Sequence, residues 1–492
     1  MCGICGYFGD NVAGLPLPID ELSHRGPDGQ GTACGPNFKF GHTRLAIIDI
    51  AGGGQPMLNK NGTICIVFNG EIYNHRFLRA ELEREHSFKS NSDTEVILHL
   101  YEKEGPAGLA KLDGMFSLAI VDHDQITLAR DPLGIKPLYI QKNEQYLYFA
   151  SELKAFNFLD NNVIEFPPGH IYNKYGGYRT YYKVPQVYRD DLNWENTLAE
   201  LRLRLKKAVL KRLMSDVPLG SFLSGGLDSS LITALMKQYQ EKFHTFSVAV
   251  KESNDRNYAL MAAKFLDTIH HEYVVTPREL WEVIPEVIFH LESFDQSLVR
   301  SAVANYFLAK LAAEEVKVVL TGEGADELFA GYAYLEQFRN SNDLHRELWD
   351  ITNALHNTNL QRVDRLTMAH GLEARVPFLD KDVIALAMEI PPAFKRNDRN
   401  GVSKWCLREA FRHEGLLPDE IIDRDKEKFA EGSGVAVILE QMAGEKVSET
   451  SYFKELERGM PLRSKEEYYY FEIFCSYFGR EQALRLVGRS KS

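Results

Sequence analysis

The chain has 492 residues, 44% hydrophobic and 26% charged, and carries a formal net charge of −12. That length exceeds what one hydrophobic core usually serves, so two or three domains are expected. The acidic balance argues against a general binder of nucleic acid or anionic membranes, and no apolar run approaches the ~18 residues that a membrane span needs.

The N-terminus lacks the basic and apolar regions of a secretory leader, and six scattered cysteines make no disulfide framework, so a cytoplasmic protein is expected. Cys2 and Cys5 form a C-x-x-C, but a zinc site would need a second ligand pair and none follows. Residues 64–68, 116–121 and 145–149 read as strands edged by Gly, Asn and Asp, with helical patterns at 75–85 and 93–104. By itself Asn69-Gly70 reads as a type I′ hairpin turn. The proline-, tyrosine- and acid-rich stretch 184–193 suits a linker. An amphipathic helix follows, with Leu198, Leu201, Leu205 and Val209 at three- and four-residue steps. Beyond it the pattern becomes strand, glycine turn, helix. Residues 217–223 lead into Ser224-Gly225-Gly226-Leu227-Asp228-Ser229-Ser230, and strands at 243–250 and 316–320 follow, the last ending at Thr321-Gly322-Glu323-Gly324. Alternating strands and helices predict a parallel sheet with its ligands at the carboxyl ends of the strands.

Two stretches carry chemistry. If Met1 is removed, Cys2 holds both a thiol and an α-amine titrating near ~8, so one residue supplies nucleophile and base. The glycines and hydroxyls of Ser224–Ser230, with a helix N-terminus behind them, form an anion cradle, although the stretch is not a Walker A motif. Asp228 beside a phosphate makes sense once Mg²⁺ lies between them.

Cys2-Gly3-Ile4-Cys5-Gly6, His24-Arg25-Gly26-Pro27-Asp28-Gly29, Gly41-His42-Thr43-Arg44-Leu45, Phe68-Asn69-Gly70-Glu71-Ile72-Tyr73-Asn74 and Asn91-Ser92-Asp93-Thr94-Glu95 occur in that order. Together they resemble the class II glutamine amidotransferases, N-terminal-nucleophile hydrolases with an αββα sandwich. The resemblance implies such a domain over residues 2–185. It makes Cys2 the nucleophile, and it makes the Asn69 side chain and the Gly70 N–H the oxyanion donors. Glutamine would be held by Arg44, Leu45, Ile47, Asn69, Gly70, Glu71 and Asp93, with Arg44 on its carboxylate and Asp93, near Glu71, on its ammonium.

S-G-G-x-D-S resembles the pyrophosphate loop of the ATP pyrophosphatases. Thr321–Glu327, Gly371–Asp380 and Asp425-Lys426-Glu427-Lys428-Phe429 look like further signatures of asparagine synthetases. That resemblance implies a C-terminal α/β domain over residues 195–492. ATP would lie against Phe222, Leu223, Ser224, Gly225, Gly226, Asp228, Ser229, Val248, Thr321 and Gly322. Asp228 and Asp326 would hold Mg²⁺, Glu323 would support adenylation and ammonia attack, and Lys426 would neutralise phosphate charge.

The implied reaction is glutamine-dependent amidation of aspartate through a β-aspartyl-adenylate, with AMP and pyrophosphate released and ammonia tunnelled between sites. The same chemistry on a sugar acid or peptide carboxylate is the alternative. Glutamine, aspartate and ATP are the expected partners, without nucleic acid or membrane, and a homodimer is compatible. The chain has Thr321 and Ala325 where the family usually has Ser, and Glu292–Ser301 departs from a threonine-rich segment. Arg300 is retained there, and is expected to stand available for an acceptor carboxylate.

Overall fold

Three sheets organise the protein in the computed structural model, which describes residues 2–156, 162–251, 253–397, 401–425 and 434–491. Lys426, expected to neutralise phosphate charge, lies outside the described residues. The chain divides into two compact units: Met1–Lys183 with Ser215–Val217 and Met368–Glu373, and Val184–Met214 with Pro218–Thr367 and Ala374–Ser492.

The first unit holds two six-stranded sheets. In one, the spatial order is Val163–Glu165, Tyr139–Lys142, Tyr146–Ala150, Cys2–Gly9, Phe38–Arg44, Gly29–Cys34. In the other it is Gly177–Thr180, His170–Asn173, Gln125–Arg130, Gly114–Asp122, Ile64–Ile72, Met57–Leu58. Side chains alternate between the faces of a strand, and both faces are used. Ile4, Phe8, Phe40 and Phe149 of the first sheet meet Val67, Ala119, Val121 and Leu128 of the second in one buried cluster. Ile66, Phe68, Leu118 and Ile120 point the other way and pack on Leu78, Val96, Ile97 and Leu100 of the helices His75–Leu82 and Asp93–Glu104. On the outer face of the first sheet the cover is the short 3₁₀ segments Asp20–Arg25 and Leu153–Phe156. There Leu22 closes on Gly3, and the Tyr148 hydroxyl donates to the Ala155 carbonyl at 3.0 Å.

Asn69-Gly70 is not a turn. Both residues lie inside the nine-residue strand Ile64–Ile72, Asn69 opposite Ser117 and Gly70 opposite Phe116. The dipeptide's local preference yields to the pairing and burial of the whole strand.

The third sheet has five strands in the order Ile269–Val274, His244–Ala249, Leu219–Phe222, Val318–Leu320, Glu373–Arg375, and its first four belong wholly to the second unit. The first four pair in parallel, as the strand–turn–helix pattern requires. Leu227–Lys237 follows the central strand directly, so its N-terminus sits at the carboxyl end of the sheet. Among the described residues no helix is long and apolar enough to cross a membrane.

Candidate active sites

Cys2 begins the central strand of the first sheet and lies directly across from Arg44. Its carbonyl accepts from Arg25 Nε at 3.0 Å, and Arg25, fully buried, is anchored to Glu152 at 2.5 Å. Its backbone nitrogen donates to Asn69 Oδ1 at 3.0 Å. Burial pushes the Cys2 thiol above its ordinary value, so attack calls for a nearby proton acceptor.

Asn69 is fully buried, and its Nδ2 has no hydrogen-bond partner among the described residues. The next residue supplies a second donor. Along Ile64–Ile72, alternate residues turn their backbone groups away from Gly114–Asp122. Phe68 exchanges both of its backbone hydrogen bonds with the Gln55 side chain, and Ile72 N–H reaches Asp93 Oδ2 at 3.0 Å. Gly70, between them, directs its N–H to the same side, into a cleft that it shares with Cys2, Arg44, Gln55, Glu71 and Asp93. Glycine is required there: a Cβ would stand 2.1 Å from the Met115 carbonyl oxygen.

Leu45 and Ile47 also line this cleft, whose volume is about 320 Å³. The Arg44 guanidinium is oriented by the Ile50 and Asp49 carbonyls at 2.9 and 2.7 Å. Asp93 opens the helix capped by Ser92, and burial raises its carboxyl above the usual range. Gln55, which shapes the Phe68–Gly70 backbone, is a residue that sequence reasoning missed. No linear motif marks it.

In the second unit both glycine turns meet at one cleft of about 950 Å³. The Ser224 and Ser229 hydroxyls lie 3.0 Å apart, and Ser229 Oγ accepts from the Ser224 N–H at 3.2 Å, which closes the loop on the helix N-terminus. Gly225 has φ +74° and packs against Tyr258 and Ala259, where a Cβ would stand 2.3 Å from the Ala259 nitrogen. It shapes the loop from behind rather than lining the cleft. Gly322 lets the second turn close on Asp228 and Ser229, 2.8 Å from where its own Cβ would be. Phe222, Leu223, Ser224, Gly226, Asp228, Ser229, Val248, Thr321, Gly322, Glu323 and Asp326 all line the cleft.

Asp228 Oδ2 and Asp326 Oδ1 converge on one cation, the buried Lys404 ammonium, at 2.5 and 2.6 Å. Two carboxylates aimed at one point are the hard anionic donor set that Mg²⁺ accepts. Lys404 was missed in the sequence because it stands 176 residues from Asp228 outside any motif. Arg362 was missed for the same reason. It holds Glu323 at 2.5 Å and Asn305 Oδ1 at 2.9 Å, and its own Nε is buried without a hydrogen-bond partner among the described residues.

A second cavity, of about 1030 Å³, shares Glu323, Asp326 and Arg362 with the first. On its wall Glu327 accepts from the Tyr332 hydroxyl at 2.6 Å and from Asn359 Nδ2 at 3.0 Å. Burial, helped by neighbouring Asp326, pushes the Glu327 carboxyl up to about 7. Arg300 does not line this cavity as an available cation. Its guanidinium pairs bidentately with Glu466 at 2.9 and 2.6 Å and reaches Glu440 at 3.0 Å. The expectation set by its position in the sequence is overturned because two acidic residues from distant segments claim it.

The family model described as a glutamine amidotransferase domain matches residues 1–173, and the one described as asparagine synthase matches residues 200–343 and 336–486. The chain is 39% identical over 517 residues to asparagine synthetase (glutamine-hydrolyzing) 2 of Arabidopsis thaliana, covering 99% of this chain and 89% of the other. It is 40% identical over 524 residues to asparagine synthetase (glutamine-hydrolyzing) 3 of the same plant, with 99% and 89% covered. With asparagine synthetase (glutamine-hydrolyzing) of Zea mays the identity is 38% over 517 residues, covering 99% and 88%.

Proposed function

We propose a two-site mechanism from one premise: this chain belongs to the family of glutamine-hydrolysing asparagine synthetases. The reaction is the amidation of aspartate to asparagine, with glutamine as nitrogen donor and ATP as the activating substrate.

In the first unit, loss of Met1 makes the Cys2 nitrogen an α-amine, able to take the thiol proton near neutrality. The Cys2 sulfur then attacks the glutamine side-chain carbonyl. The developing oxyanion is met by Gly70 N–H and Asn69 Nδ2, donors fixed before the substrate arrives. Collapse expels ammonia and leaves a thioester, which water cleaves to glutamate and free enzyme. Arg44 holds the glutamine carboxylate, and Asp93 with Glu71 holds its ammonium. The buried Asn69 Nδ2, without a partner among the described residues and beside Cys2, is the observation that carries this half.

In the second unit, a β-carboxylate oxygen of aspartate attacks the α-phosphorus of ATP, and pyrophosphate leaves. The Ser224–Ser229 loop and the N-terminus of Leu227–Lys237 bind the leaving group. Asp228 and Asp326 would hold Mg²⁺, which neutralises phosphate charge when bound. Lys404, which bridges these carboxylates here, would turn to the pyrophosphate when Mg²⁺ takes its place, and Lys426 is assigned the same task from its motif. Ammonia attacks the acyl carbon of the β-aspartyl-adenylate, AMP leaves, and Glu323, oriented by Arg362, takes the proton released.

The test is Cys2→Ala. Glutamine-dependent asparagine formation should disappear while synthesis from added ammonium salts persists at the wild-type rate, because only the first site produces ammonia. Loss of both activities in a folded variant refutes the two-site reading.

A further inference from the structure

An acceptor activated by ATP must bring its carboxylate to the α-phosphorus, so its pocket has to open on the nucleotide cleft. The cavity that shares Glu323, Asp326 and Arg362 with that cleft meets this requirement. Aspartate enters with two carboxylates, and the one that does not react needs a countercharge. The inner wall cannot supply it alone. Asp326 and Glu323 are acidic residues there, and Arg362 is already paired with Glu323. Arg300 is paired with Glu466 and Glu440.

Among the described residues lining the cavity, the other two cations come from the end of the chain, Arg489 and Lys491. This segment is fastened in place. Ser490 N–H and Oγ donate to the two carboxylate oxygens of Asp295 at 3.0 and 2.7 Å. Arg489 Nη2 donates to Glu467 at 2.7 Å, and its guanidinium lies 5.1 Å over the Phe294 ring. Asp295 also caps the helix Gln296–Ala313, accepting from Leu298 N–H at 3.0 Å, and that helix brings Ser297 and Ser301 to the same cavity. The stretch Glu292–Ser301 is therefore the one that receives residues 489–491. Lys491 is the adjustable cation of the set: its side chain is 49% exposed and its nearest carboxylate is Glu347, at 2.9 Å.

We propose that Arg489–Ser490–Lys491 is a specificity-determining wall of the acceptor pocket, with Lys491 supplying the countercharge for the acceptor's non-reacting carboxylate in place of Arg300 and Arg489 anchoring the segment through Glu467. The inference rests on the function proposed above. Ser490 and Asp295 hold the segment, and Lys491 turns from Glu347 to the incoming carboxylate.

The test uses the full chain with ammonium as nitrogen source, and Lys491→Ala, Arg489→Gln and Lys491→Arg as variants. Lys491→Ala should raise the KM for aspartate about tenfold, the scale of one charge-assisted hydrogen bond, and Arg489→Gln, which loosens the segment but keeps Lys491, should raise it by less. The KM for ATP and glutamine hydrolysis should not move, and Lys491→Arg should restore most of the aspartate affinity. An unchanged KM for aspartate in Lys491→Ala overturns the proposal. So does a parallel rise in the KM values for aspartate and ATP with a lowered Tm, which marks a merely structural segment. If the wild-type enzyme forms no asparagine from ammonium at all, the proposed function fails and this inference falls with it. Wild-type synthesis with unaffected variants removes the inference alone.

Discussion

Asn69→Ala removes one oxyanion donor and separates catalysis from folding. Losing such a donor lowers the rate of acyl transfer by ~100- to 1000-fold, about 3–4 kcal/mol. The effect on stability is much smaller, because two terms oppose each other. The Cys2 N–H loses its acceptor at 3.0 Å, which costs about 1 kcal/mol. Removing a buried Nδ2 that has no partner among the described residues relieves a desolvation cost of about 1–3 kcal/mol. The Tm should therefore stay within a few degrees of wild type while glutamine hydrolysis collapses. Pyrophosphate release driven by ammonium and aspartate should continue unchanged. Asn69→Asp sharpens the test, since it keeps an acceptor for the Cys2 nitrogen but replaces the donor with an anion. It should be at least as damaging as alanine. Near-wild-type hydrolysis in the aspartate variant would show that Asn69 merely positions Cys2, and a loss under tenfold in the alanine variant would refute the donor role.

Asp228→Asn keeps the shape of the loop but removes one of the two carboxylates that share the Lys404 ammonium. Synthesis with either nitrogen source should fall by about two orders of magnitude while glutamine hydrolysis persists, and unchanged ATP-dependent pyrophosphate release would reduce Asp228 to a residue of the first helical turn. Glu327→Gln addresses pH. The Glu327 carboxyl, raised from its ordinary 4.5 to about 7, holds its proton in the native state below pH 7, so this group's contribution to stability declines as pH rises from 4.5 to 7 and the penalty is complete above. Glutamine mimics the protonated form, so the variant should exceed wild type in stability at pH 8 by up to about 3 kcal/mol, with the gap closing by pH 4.5; thermal unfolding curves with the same pH dependence for both proteins would rule this out.

Local chemistry explains which features the sequence determined by itself. The Ser224–Ser230 loop is legible because glycines, hydroxyls and a helix start follow one another along the chain, and their geometry is set within a few residues. Cys2 is legible because position two alone gives a thiol beside a prospective α-amine. The strand–turn–helix alternation reports the parallel sheet for the same reason: each unit is short and its period is local. Other features depend on long-range placement. Asn69-Gly70 carries a turn signal, yet it lies inside a strand because nine pairings and the burial of both faces outweigh the preference of two residues. Pairings between charged side chains are the least legible. A guanidinium or ammonium takes whichever carboxylate the fold brings within reach, and sequence separation says nothing about that. Only the tertiary structure could therefore give Arg300 to Glu466 and Glu440, place Lys404 between Asp228 and Asp326, and bring Arg489 and Lys491 to the wall of the cavity beside Glu323.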